Sequence, residues 1–490
     1  MYNAVTQYIQ RLKVLWCRLS LPKFRQHQSL WLLFVLSLIV IACSRQLPSN
    51  SSLTSGSPPT TDLTIWWDKG YLLEEDEALQ QVIRTWEKAH NTHVKLSFYT
   101  ADEIAQKALR AEQAGNPPDV LFASRAEYPL LVWEGKLADV SEVIEPVKNL
   151  YSVSVLRAIR SYNNVEQKRG YYSVPLHQAT IHIFYWKDLL QQAGFTPSDI
   201  PSEWDAFWDF WKTVQDKLRS QQTFGNYSAI YGLGLPFSVG ASDTYYVFEQ
   251  ILEANNVSLL DQRGRLLVDQ PEVRAGIVTS LDWYSQLYQQ GYVPPDALKW
   301  LDPDNNRSFI NHEVVMTANP TLSIPNALRQ DPDLYLNQLG TLPFPQKPSG
   351  QPMRHIVLVR QAMVFATSKH QQAAKDFLAY LIQPEVMETY LQSAGGRYLP
   401  VLTKAKRAAF WTDAADPHIS SATKLLDAGL TRSFSNVQNP AYSMVLGQNI
   451  WGKALDRILI DRLSPDQAAN EAIDQIKQIF DQWNQERQEL

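Results

Sequence analysis

Leu63-Thr64-Ile65-Trp66-Trp67-Asp68-Lys69-Gly70-Tyr71 reads as a short apolar strand that ends in two tryptophans, a carboxylate, a lysine and a glycine turn. The acidic start of a helix follows at once. Polar and aromatic groups at the carboxyl end of a strand suit a ligand site, because in open α/β sheets ligands sit in the crevice outside that end. Successive side chains of a strand point to opposite faces, so one of the two tryptophans belongs to the core. The expectation is that Trp66 packs inside and Trp67 faces a cleft.

Working forward, Leu79, Val82, Ile83 and Trp86 recur at helical spacing, and Glu74, Glu75, Asp76 and Glu77 fill the first turn, where negative charge complements the helix dipole. These carboxylates read as solvated dipole partners, not as catalysts. Val94, Leu96 and Phe98 alternate as a strand, Thr100 with Glu103 reads as a capping box, and residues 119–123 form a continuous apolar strand. Strand, helix, strand, helix, strand is the signature of a parallel sheet with covered faces, so the fold class is α/β. Ser124, Arg125 and Tyr128 follow the third strand as Trp67 and Asp68 follow the first, and both groups can line one crevice.

Working backward, residues 1–61 hold no Asp or Glu, while Arg11, Lys13, Arg18, Lys23 and Arg25 precede an apolar run at residues 30–42. That is the pattern of a secretory leader, and the run is shorter than the roughly 20 apolar residues a spanning helix needs. It ends Val40-Ile41-Ala42-Cys43, which resembles the lipobox of bacterial lipoproteins. Residues 1–42 are therefore expected to be a signal peptide and Cys43 the lipidated terminus. Residues 44–61, rich in Ser, Pro and Thr, read as a flexible tether. The remaining cysteine, Cys17, lies in the leader, so no disulfide is expected.

The chain has 490 residues, too many for one compact core, and its net charge of -5 argues against a nucleic-acid partner. Its 15 tryptophans matter more, since aromatic faces are enriched where flat apolar ligands are gripped. Most are still core: Trp204, Phe207, Trp208, Trp211, Val214 and Leu218 follow the helical period behind Ser202, read as the cap. Trp300 differs, standing in the irregular stretch GYVPPDALKWLDPDNN at residues 291–306, where a lone large aromatic suggests binding. The stretch GLGLP at residues 232–236 lacks the Lys-Ser/Thr end of a phosphate loop. His177 and Gln178 close a run from Gly170. SAGGRYLP at residues 393–400 presents Arg397 and Tyr398 on a glycine turn, and Ser464 with Gln467 caps the last helix.

Pro117-Pro118-Asp119, GYYSVPLHQATIHIFYWKDLLQQAGF, PSEWDAFW and FINHEVVMTANP, in that order behind a lipoprotein-like leader, resemble the extracellular solute-binding proteins of ABC importers. More narrowly the chain resembles the carbohydrate-binding family that includes maltose-binding protein. Asn311-His312 stands where that family often has glycine and lysine. The resemblance implies two α/β lobes of the type II periplasmic-binding-protein kind. They are expected at residues 62–181 with 317–388 and at residues 182–316 with 389–490, joined by a multi-strand hinge with crossings near His182, Met316 and Glu388. It also implies a sugar or oligosaccharide ligand, the permease subunits of an ABC importer as partners, a monomer, and no cofactor or metal.

A sugar offers hydroxyls on its rim and C–H faces above and below, so a site needs aromatic platforms and planar polar groups. Trp67, Trp300, Tyr398 and Tyr442 are the candidate platforms. Asp68, Arg125, His177, Gln178, Asp243, Asn319 and Arg397 are the candidate polar partners, with Asp68 and Asn319 where the resemblance puts ligand contacts. The rivals are the same fold taking a polyamine or amino-acid derivative, and an exported carbohydrate enzyme. The second needs paired carboxyls flanking a bond, which Asp68 and Asp243 would have to supply. No GxSxG elbow or HExxH helix is present, and the nine histidines show no metal spacing except loosely at His90 and His93, which flank a loop.

Overall fold

The computed structural model describes residues 62–123, 128–221 and 230–486, so the leader, Cys43, the tether and Arg125 lie outside the described residues. The opening stretch forms β1 (Asp62–Asp68), and α1 (Leu73–His90), β2 (His93–Tyr99), α2 (Ala101–Gln113) and β3 (Val120–Phe122) follow in the expected alternation. β1 pairs in parallel with β2 on one side and β3 on the other. The first helix starts as it does because two carboxylates of its acidic run hold the preceding turn. Asp76 accepts the Gly70 N–H at 2.8 Å and Glu75 the Leu72 N–H at 3.2 Å. Both are buried, so half of a run expected to be solvated is structural. The Thr100 side chain makes no capping bond, and the α2 amides of Glu103 and Ile104 bond to its carbonyl instead.

A short hairpin, β4 (Arg160–Asn163) with β5 (Lys168–Tyr171), leads to β6 (Val174–Thr180), which passes almost directly into β7 (His182–Trp186). Only Ile181 separates two strands that belong to different sheets. The aromatic stripe becomes α3 (Trp204–Ser220), and its predicted core residues Trp204, Phe207, Trp208, Trp211, Val214 and Leu218 are all buried. Glu203, not Ser202, is the residue that precedes it. Then come β8 (Tyr231–Gly234), α4 (Ser242–Ala254), α5 (Pro271–Gln289), α6 (Asp304–Ile310), β9 (Val314–Asn319), β10 (Leu339–Leu342) and β11 (His355–Val364). α7 (Gln371–Leu381), α8 (Pro384–Ser393), β12 (Leu399–Pro400), β13 (Thr431–Ser433), α9 (Ala441–Gly447), α10 (Ile450–Leu459) and α11 (Pro465–Glu486) complete the elements used below. α11 opens on the expected capping box, with Ser464 Oγ accepting the Gln467 N–H and Gln467 Oε1 accepting the Ser464 N–H.

The larger sheet runs β12-β6-β11-β3-β1-β2, with β13 added beside β11. β11 lies antiparallel to both β3 and β6, so the sheet is parallel across β1, β2 and β3 and again between β11 and β13. The smaller sheet runs β10-β7-β9-β8. β9 and β10 both stay with β7, so the chain leaves the smaller sheet after Leu342 and not at Met316. It enters the larger sheet at His355. Glu388 falls inside α8, and β12 and β13 both rejoin the larger sheet beyond it.

Candidate functional site

The end of β1 is the first place to look. Trp67 is 3% exposed and stacks on Phe122, ring centroids 4.4 Å apart at 21°. Trp66 is half-buried beside Tyr99 at 4.9 Å. The expected facing of the pair is therefore reversed, and register explains why. Trp67 pairs with Phe122, which pairs with Ala362, and the face they share packs with Leu79, Trp86 and Phe377 of α1 and α7. Trp66 pairs with Leu121 on the other face, over the smaller apolar cluster around Ile104 and Met363.

Several candidates do gather. His177, fully buried on β6, stacks on Tyr398 with centroids 4.0 Å apart and meets Phe122 edge-on at 5.4 Å. Burial, with the charges of Arg360 and Arg397, holds its pKa well below the ordinary histidine value, so the ring is neutral near pH 7. Arg397 donates to Glu75 at 2.9 Å, and its guanidinium lies 4.8 Å from the Tyr398 ring centroid and 5.7 Å from that of Tyr71. Burial works against its charge, but Glu75 more than offsets this and its pKa is raised. Burial pushes the Tyr398 hydroxyl up, and Asp68 at the end of β1 acts in the same direction. Trp67, Asp68, His177, Arg397 and Tyr398 thus surround one packed polar and aromatic cluster, held largely by bonds within the chain.

The other described candidates are in internal bonds or in the core. Gln178 Nε2 donates to the Pro400 carbonyl at 2.8 Å and ties β12 to β6. Asn319 Nδ2 holds its own turn through the Thr321 carbonyl at 2.9 Å and Ser323 Oγ at 2.7 Å. Trp300 is 5% exposed, and Tyr442, fully buried, donates to Glu249 while Trp451 donates to it. Asp243 sits buried in the first turn of α4, its N–H bonded to Asp302 at 3.2 Å.

Open space lies elsewhere. A cavity of about 280 Å³ is bounded by Ala101 and Ala105 of α2, Ala123 and Tyr128 past β3, residues 357–361 of β11, Ser242, Tyr245 and Tyr246 of α4, and Ser443 and Gly447 of α9. Small side chains on α2 and α9 leave the room. The tyrosines supply aromatic surface, with Tyr245 against Tyr246 at 4.5 Å and Phe434 edge-on to Tyr246 at 5.4 Å. Arg360 reaches across from β11, its Nη1 3.4 Å from the Tyr246 hydroxyl. Asn449 Nδ2 bonds the carbonyls of Val239 and Ala241 at 2.8 and 3.0 Å, fixing the loop that leads into α4. Tyr128 is the one residue of the expected second crevice loop that is both described and at the cavity.

Sequence reasoning missed Tyr245, Tyr246 and Arg360. All thirteen residues of α4 are buried, so the helix has no polar face to mark its orientation. The available signal was positional: adjacent tyrosines just after the Gly240-Ala241-Ser242 turn that opens a helix.

Among the described residues no group of three or more His, Cys, Asp or Glu side chains could hold a metal ion. Residues 81–419 match the family described as bacterial extracellular solute-binding protein. A multiple sugar-binding protein of Streptococcus mutans is 23% identical over 348 residues, covering 68% of this chain and 74% of its own. A maltooligosaccharide ABC transporter solute-binding lipoprotein of Streptococcus pneumoniae is 20% identical over 457 residues, covering 91% and 95%. Among solved structures, an ABC transporter solute-binding protein of Thermotoga lettingae with bound alpha-D-tagatose gives a TM-score of 0.71 at 20% identity over 86% of this chain and 100% of that one. A sugar transporter protein of Arthrobacter chlorophenolicus with bound laminaribiose gives 0.70 at 15% identity, over 85% and 99%. The shared architecture is the two-lobed, type II periplasmic-binding-protein fold.

Proposed function

The chain belongs to the bacterial extracellular solute-binding proteins, binding components of transport systems and not enzymes, and we propose that it captures a neutral sugar or short oligosaccharide and delivers it to an ABC importer. The observation that carries the reading is the composition of the cavity. Tyrosine rings edge it, neutral hydrogen-bonding side chains and one cation, Arg360, line it, and among the described residues no carboxylate does. A polyamine would need carboxylates to balance its charge, so this lining favours a polyol over a cation. The named ligands of the relatives, a tagatose, a laminaribiose and maltooligosaccharides, are of the same chemical class. At about 280 Å³ the cavity is at the lower end of the usual range for ligand sites, roughly 300–1,000 Å³, which suits one or two sugar rings.

In this reading the ligand lies between two lobes, and it favours the closed arrangement because it touches both. Tyr245 and Tyr246 take the C–H faces, and Arg360 takes a hydroxyl pair. The mature chain would be a monomer outside the cytoplasm, anchored through lipid on Cys43 and engaging permease subunits. A thermal-shift screen over neutral sugars, amino acids and polyamines tests the ligand class, since binding to the native state raises the melting temperature. Neutral oligosaccharides are expected to raise it; a rise with charged amines alone ends the sugar reading, and turnover of an oligosaccharide ends the transport one.

A further inference from the structure

Glu253 stands in the last turn of α4, 1% exposed, and does not line the cavity. It is the centre of a charge cluster nonetheless. Arg354 grips both its oxygens, Nε to Oε1 at 2.8 Å and Nη2 to Oε2 at 2.9 Å. Lys347 Nζ donates to Oε1 at 2.6 Å and Arg432 Nε to Oε2 at 2.9 Å. One turn earlier Gln250 does for the strand what a neighbouring strand would. Its Nε2 donates to the Arg354 carbonyl at 2.9 Å and its Oε1 accepts the Ile356 N–H at 3.1 Å.

Lys347 and Arg354 lie in residues 343–354, the segment that carries the chain from the smaller sheet to the larger one. Such a segment is where flexibility would be sought, yet here its middle, at Lys347, and its far end, at Arg354, are both bonded to one helix. A buried ion cluster is weak evidence for stability, because apolar replacements of similar shape often serve as well. What a forked, two-point Arg–carboxylate contact specifies is a single geometry.

That geometry bears on the cavity. The first turn of α4 carries Ser242, Tyr245 and Tyr246, which form one wall, and residues 357–361 of β11 form another. β11 is fixed to α4 at its start. At its end, residues 362–364 pair with β3. Between these anchors the pairing of β11 with β6 slips in register at Arg360/Gln361, opposite Leu176. The unpaired residue, Leu176, makes an irregularity on β6, where a strand bends and the local twist of the sheet increases.

We infer that Glu253 is a positioning residue: it locks the tyrosine wall of α4 to the first half of β11 as one rigid unit, so that this unit moves relative to the cavity wall formed by α2 and the end of β3 by bending at the β6–β11 irregularity beside Arg360/Gln361 and not in residues 343–354. The ligand-affinity part of the inference rests on the sugar reading given above; the rigidity part does not.

Hydrogen exchange on the full chain without ligand tests the rigidity. In the wild type, the bonded amides of Gln346, Lys347, His355 and Ile356 should exchange slowly. In Gln250→Leu, Arg354→Gln and Glu253→Gln they should exchange about tenfold faster or more, with β1 and β3 unchanged. Arg354→Lys keeps the charge and loses the fork, so it should match Arg354→Gln; behaviour like the wild type overturns the geometric claim. Affinity for a probe, maltotriose or whichever neutral sugar gives the largest thermal shift, is read in the same variants by tryptophan fluorescence. It should weaken about fivefold or more in every variant that folds. Unchanged exchange in the half-exposed Arg354 variants refutes the rigid unit, even where Glu253→Gln does not fold. Faster exchange with unchanged affinity refutes the positioning role. If no sugar binds the wild type, the sugar reading fails and exchange alone decides the inference.

Discussion

Arg397 Nη1 and Glu75 Oε2 lie 2.9 Å apart across 322 positions of sequence, with the Glu75 side chain 8% and the Arg397 side chain 18% exposed. Glu75 also holds the Leu72 N–H, so one carboxylate ties the glycine turn before β12 to the turn after β1. Removing the guanidinium leaves a buried charge without its partner. Arg397→Met is expected to destabilise the protein by roughly 2–3 kcal/mol, measured by urea unfolding. A loss of sugar affinity at full stability would instead make Arg397 a ligand contact.

Trp67 is a second discriminating position. Its stacking on Phe122 inside the main core places Trp67→Ala among large-to-small core changes, which cost about 3–5 kcal/mol. Trp66→Ala, on the half-buried side, should cost clearly less. Chemical denaturation of both variants checks this, and a stable Trp67→Ala protein with weakened binding would restore Trp67 as a platform.

Tyr246 separates the cavity from the packed cluster as the ligand site. Tyr246→Leu keeps apolar bulk and loses the flat ring and the hydroxyl that meets Arg360. Ligand affinity should fall about tenfold, the value of an aromatic contact of roughly 1–1.5 kcal/mol, while stability changes by less than about 1.5 kcal/mol. Titration calorimetry alongside urea unfolding reads both. Unchanged affinity removes Tyr246 from the site.

The buried histidines predict a pH dependence. Burial pushes His182 and His355 down to about 4 from an ordinary value of 6.5, with the Thr180 carbonyl opposing in the first case and Glu253 in the second. The unfolded chain then binds protons that the folded chain refuses. Stability is complete above pH 6.5 and declines as pH falls from there toward 4. Each histidine contributes roughly 3 kcal/mol to that decline. The melting temperature should drop over this window, and His182→Gln should flatten the slope; an identical slope would show that His182 is not held neutral.

The alternation of strands and helices from Asp62 to Phe122 was legible because each apolar run has one period and clear boundaries, and the α3 stripe was legible for the same reason. Which tryptophan of β1 faces inward was not. Local sequence says only that two neighbours point apart, and the choice is made by Phe122 and Ala362, far away in the chain. The return crossing near Met316 was what the family resemblance implied; β10, with only four residues, pairs with β7 and keeps the chain in the smaller sheet beyond it. Glycine turns and loop aromatics drew attention to Arg397, Tyr398 and Trp300. The cavity is instead edged by side chains on a wholly buried helix, where sequence carries no face to read.

The cavity is bounded by residues as far apart as Ala101 and Asn449, and β12 and β13 join the larger sheet only when the last quarter of the chain is present. Contacts of such long sequence separation form late and slowly in folding. A partly made or truncated chain that stops before Ala441 therefore has β1 to β11 but lacks one wall of the cavity. On the reading proposed above, a ligand in this cavity would report that the segments from Ala101 to Asn449 have folded together.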